Sequence, residues 1–186
     1  MHRTTDGEIL STAVLRTVAE SSTAERLAAA QRLVYGPILD WVRHSPFHTN
    51  ALGHSVHPPL TDITLGSWMG ASLLDLAGGT PSRHGATLLV SAGLLAAIPT
   101  ALAGAADWTE TEGADHRIGA VHALGTDAAV FLFLGSLVAR LRGRHALGVG
   151  LAAAGNAVAA SAGFLGGHLA LTRGIAGRAG PTERGG

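Results

Sequence analysis

The sequence predicts an all-α protein: a four-helix transmembrane bundle running up-down-up-down, preceded by amphipathic helices at its surface. Three observations predict it. Only 14% of the 186 residues are charged and 47% are hydrophobic, with 26 glycines, a balance foreign to ordinary soluble domains. Four segments of about 20 residues are apolar enough to read as spans, the length that crosses roughly 30 Å of hydrocarbon. The connections between them are short, which makes successive helices antiparallel neighbours.

Residues 1–56 form the interfacial part. Ser22-Thr23-Ala24-Glu25 fits a capping box that opens a helix through Tyr35, and Gly36-Pro37 restarts a short one through Val42. Ile38, Leu39, Trp41 and Val42 give that second piece a broad apolar face, suited to the membrane surface or to the bundle. No stretch combines the basic flank, apolar run and cleavage site of a signal peptide.

The bundle occupies residues 57–172, with spans over 60–79, 85–106, 118–139 and 146–171. The first carries Asp62 and Asp75, which lie about 20 Å apart along a helix and so near opposite interfaces. Gly66 with Gly70, and Gly163 with Gly167, form small-xxx-small pairs that let helix backbones approach, within one chain or between copies in a homo-oligomer. Pro99 removes a hydrogen bond from the second span, a loss tolerated if Ser91 or a neighbouring helix satisfies the freed carbonyl. The Gly- and Arg-rich residues 173–186 read as a disordered tail.

Several function classes drop out. The formal net charge is zero, so no nucleic-acid footprint exists. Without cysteine the chain can form no disulfide, attach no c-type haem and hold no iron-sulphur cluster by itself. No nucleophile-base pair, phosphate loop or metalloprotease motif argues for an enzyme. All the basic residues are arginine, which with the Ala and Gly content suggests a GC-rich bacterial genome and hence the plasma membrane. Arg83, Arg140, Arg142 and Arg144 lie in the loops on one side, and the positive-inside rule then puts both termini outside. Arg43, Arg173, Arg178 and Arg184 on the other side nearly cancel that bias.

With an even number of spans, His57, Asp62, Asp107, Trp108, His116, His122 and His168 gather at one face. His122, about one turn inside the third span, is the best single ligand candidate. Two of His57, His122 and His168 could serve as axial ligands of haem b from facing helices. The alternative makes His57 a cap before Pro58 and leaves His116 and His168 as interfacial residues. No helix supplies two metal ligands at close spacing, which disfavours zinc. Asp127 lies near mid-membrane with Asn156 at comparable depth, so the two are expected to pair, either fixing helix register or forming a step in a proton path.

Taken in order, His57-Pro58-Pro59-Leu60-Thr61-Asp62 with Gly66, Trp68 and Asp75, then Ala103-Gly104, Asp107-Trp108, Arg117, Gly119 and His122, and finally Gly163-Phe164-Leu165-Gly166-Gly167-His168-Leu169 resemble the bacterial membrane family called domain of unknown function 2231. The resemblance covers residues 32–177. It departs where Thr64 replaces a helix-start proline, Thr126 an asparagine and Leu171 an aromatic residue. It implies a four-helix integral membrane domain near electron transfer, since some relatives are fused to Rieske iron-sulphur or cytochrome c domains. From this the expected role is an anchor or scaffold for a separate Rieske or cytochrome partner. A b-type cytochrome, or a small transporter component using Asp127 and Asn156, is the alternative.

Overall fold

The computed structural model describes residues 6–47 and 55–172, and the predicted tail lies outside them. Among the described residues there are six α-helices and no strand: α1 (Asp6–Ala19), α2 (Ser22–Val42), α3 (His57–Ala77), α4 (Gly79–Trp108), α5 (Gly113–Leu141) and α6 (His145–Gly167). A π-helical turn, His168–Thr172, prolongs α6. Three segments are long and apolar enough to cross a membrane: Gly79–Trp108, Gly113–Leu141 and His145–Leu171. α3 has the length but not the hydropathy, because Thr61, Asp62, Thr64, Ser67, Ser72 and Asp75 dilute its apolar residues. The expected set of four apolar spans is thus three, with α3 as the more polar member of the bundle.

The packing is inverted relative to a soluble domain. Small residues fill the interior, among them Ala71, Ala86, Ala97, Ala103, Ala120 and Ala152, while Leu73, Leu76, Leu88, Leu95, Phe131 and Leu141 point outward. α3 packs chiefly on α4, and α5 on α6; the two hairpins then meet along α4 with α5 and α3 with α6. Small side chains let backbones approach closely, and in lipid that contact is the main source of helix association. Of the predicted pairs only Gly70 serves it. Gly66, Gly163 and Gly167 meet nothing within 4 Å, whereas Gly70, Gly93, Gly104, Gly125, Gly135, Gly148, Gly155 and Gly166 lie directly beneath side chains of neighbouring helices.

The helices are longer than predicted and their connections shorter. Only Gly78, at φ 72°, separates α3 from α4, a left-handed conformation that glycine adopts without steric cost. α4 runs unbroken through Pro99, and Ser91 donates to Thr87 O and so does not repair the proline gap. α2 likewise continues through Gly36-Pro37 as one helix, where a restart was predicted. Its N-cap is Ser21, one residue earlier than the predicted box: the Ser21 hydroxyl accepts from Ala24 N at 3.2 Å.

α2 lies on the bundle, held along its length by α5. Arg117 Nη1 meets Glu25 at 2.6 Å, Gln31 Nε2 donates to Ala120 O at 3.1 Å, and Tyr35 OH donates to Asp127 Oδ2 at 3.1 Å. These tertiary bonds explain why the helix tolerates an internal proline.

Candidate functional site: two facing histidines

A cavity of about 290 Å³ opens at the end of the bundle where α3 and α5 begin and α4 and α6 finish. α2 closes one side of it with Gln31, Tyr35, Ile38 and Leu39. Its lining is mostly apolar, and its size falls at the lower end of the range for small-molecule sites. His57 and His122 both line it, with ring centroids 6.4 Å apart and planes crossed at 86°.

The two rings are held in the same way. His57 Nδ1 lies 2.9 Å from Thr100 O, and His122 Nδ1 lies 2.8 Å from Ala162 O. A carbonyl only accepts, so each Nδ1 carries a hydrogen, and the lone pair of the neutral form of each ring is the one at Nε2. Neither Nε2 has a hydrogen-bond partner among the described residues. Glycine makes room for both rings: a Cβ on Gly104 would stand 2.8 Å from His57 Cε1, and one on Gly166 would stand 2.7 Å from His122 Cε1. An imidazole with its second nitrogen tied to a carbonyl is the usual state of a metal-ligating histidine.

Asp107 and Trp108 support this pair from behind. The Ser55 hydroxyl donates to Asp107 Oδ2 at 2.5 Å and accepts from His57 N at 3.0 Å, which ties the entry of α3 to the end of α4. Pro58 and Pro59 follow at the first helical positions, where a missing N–H costs nothing. His57 is therefore a placed side chain and not merely a cap. Trp108 stacks on His116, centroids 4.1 Å apart, and donates from Nε1 to His116 O at 3.0 Å. Thr111 Oγ1 lies 3.0 Å from His116 Nδ1 and completes a clamp on the turn between α4 and α5.

Other expected groupings do not form. His168 is half-buried but does not line the cavity, because the π-helical turn carries Leu169 and Ala170 there instead. Asp62 is exposed and does not line the cavity. The expected pair of Asp127 and Asn156 is replaced by two separate bonds: Asp127 accepts from Tyr35, and Asn156 Nδ2 donates to Ser72 Oγ at 2.8 Å. Burial and the facing Asp127 carboxylate raise the Tyr35 hydroxyl above the ordinary tyrosine pKa. Among the described residues no group of three or more His, Cys, Asp or Glu could hold a metal ion.

Sequence reasoning missed Tyr35 as the partner of Asp127, the carbonyls of Thr100 and Ala162, and the buried ion pair at the opposite end. There Arg140 Nη1 and Nη2 bind Asp75 at 2.8 and 2.5 Å, with both side chains at most 2% exposed. A signal existed for the histidines: His57 is followed by Thr61-Asp62 and His122 by Thr126-Asp127 at identical spacing. No family model, curated protein or solved structure matches this chain.

Proposed function

We propose that this protein is a membrane-embedded b-type cytochrome in which His57 and His122 are the axial ligands of one haem. The observation that carries the reading is the pair of imidazoles, each fixed in the tautomer that frees Nε2, facing one apolar cavity 6.4 Å apart. His57 Nε2 and His122 Nε2 would be the atoms that hold the iron, each ring kept in place by its carbonyl. When bound, haem supplies one-electron transfer. The chain's own residues orient two neutral donors, exclude water with Leu39, Ala101, Leu102 and Leu169, and cover the site with α2. In this reading α3 is a fourth span, with Thr64, Ser72 and Asp75 satisfied by neighbouring helices, and both termini lie outside the bacterial plasma membrane. The resemblance to the domain of unknown function 2231 adds the expectation that electrons pass to a separate Rieske or cytochrome partner.

The test is an absorption spectrum of detergent-purified protein, expressed with haem supply, before and after dithionite. A stoichiometric Soret band with sharpened reduced bands is expected. His122→Ala should convert it to the band of haem held by a single histidine and His168→Ala should leave it intact. A featureless spectrum from well-folded protein would overturn the reading and return the scaffold role to first place.

A further inference from the structure

The two hairpins correspond in register at the positions that make contacts. At an offset of 65 residues from α3 to α5 stand His57 and His122, Thr61-Asp62 and Thr126-Asp127, Trp68 and Phe133, Gly70 and Gly135, Asp75 and Arg140. At an offset of 62 residues from α4 to α6 stand Leu89 and Leu151, Gly93 and Gly155, Thr100 and Ala162, Gly104 and Gly166. The contacts recur with them. Trp68 packs on Gly93 as Phe133 packs on Gly155; Gly70 faces Leu89 as Gly135 faces Leu151; His57 lies on Gly104 and binds the carbonyl of residue 100 as His122 lies on Gly166 and binds that of residue 162.

Corresponding residues from the two hairpins meet each other at three levels. His57 faces His122, Trp68 stacks on Phe133 with centroids 4.0 Å apart and planes 11° from parallel, and Asp75 pairs with Arg140. Such self-matching contacts are those of a two-fold axis, the isologous geometry of a symmetric dimer. Here that axis runs along the bundle within one chain.

We propose that the four-helix unit is a duplicated hairpin and that its ligand, a planar iron tetrapyrrole, sits on the pseudo-two-fold axis, held by two equivalent imidazoles with crossed planes. This rests on the haem reading above and sharpens it. Each hairpin supplies one Nε2, one carbonyl that sets the tautomer and one glycine that clears the ring. Crossed ligand planes leave the two iron dπ orbitals nearly degenerate, which spreads the g values of the ferric low-spin state.

The experiment is electron paramagnetic resonance of the ferric protein, alongside His57→Ala and His122→Ala titrated with imidazole. A strongly anisotropic low-spin signal is expected, and both variants should lose one ligand and recover it at imidazole concentrations within about threefold of each other. A rhombic signal typical of parallel planes, or loss of haem from one variant with no change in the other, would overturn the axial site. The axis has its own readout, independent of haem. Among the described residues Trp68 Nε1 has no hydrogen-bond partner, so its ring serves as apolar surface, and both ring sites rest on glycine. The exchange variant Trp68→Phe with Phe133→Trp should therefore melt within a few degrees of the parent. Melting as low as that of Trp68→Ala would overturn the duplication even where haem is bound, and a chain that exchanges its rings freely yet takes up no haem would overturn the ligand alone.

Discussion

At the scale of single residues, the site is made by what is absent as much as by what is present. Gly104 and Gly166 give the imidazoles their places, and any Cβ there would push a ring away from its carbonyl. Gly104→Ala and Gly166→Ala should each weaken haem retention at least tenfold while the helices persist, because alanine favours a helix over glycine by about 1 kcal/mol. Gly163→Ala, three residues from Gly166 and facing nothing within 4 Å, should leave the spectrum unchanged. Titrating haem into the three apo variants separates these outcomes; equal affinities across them would remove the glycines from the site. His57 and His122 were legible as candidate site residues from their positions at the ends of apolar segments. Their tautomers were not, since those depend on carbonyls 40 or more residues away.

At the scale of elements, length and apolar content located α4, α5 and α6, and the same signal was weakest in α3, where the structure finds the polar residues turned to use. Thr64 Oγ1 lies 2.9 Å from Thr100 Oγ1, Ser72 accepts from Asn156, and Asp75 binds Arg140. Hydropathy counts these side chains as polar whether or not a partner satisfies them, so it under-reads such a helix. The opposite error befell α2, where Gly36-Pro37 signalled a break that Gln31, Tyr35 and Leu39 override by tertiary contact. Because the chain has no cysteine, single cysteines report topology cleanly. If α3 spans the membrane, cysteines at the exposed positions Pro59 and Gly143 should be labelled by an impermeant maleimide from opposite sides of the bilayer. Labelling of both from one side would make α3 a surface helix.

At the scale of the whole molecule, the bundle has one end with the facing histidines and their cavity and another, locked end. At the locked end Arg140 binds Asp75 through two nitrogens, donates from Nε to the Ser136 hydroxyl oxygen at 3.1 Å, and packs on Gly148. His145 Nε2 stands 3.6 Å from Asp75 on the same side. A buried pair of this kind adds little over an apolar contact, yet losing one member strands the other charge and costs about 3–5 kcal/mol. Asp75→Ala should therefore lower the unfolding midpoint in detergent sharply, while Asp75→Leu combined with Arg140→Met should return most of it. The histidines lie 18 residues away along each helix, roughly 27 Å at the helical rise. The double variant should then keep the haem spectrum of the parent. Lost haem in a chain that unfolds at the parental midpoint would show that the two ends of the axis are coupled, and that the ion pair sets the spacing of the hairpins at the site itself.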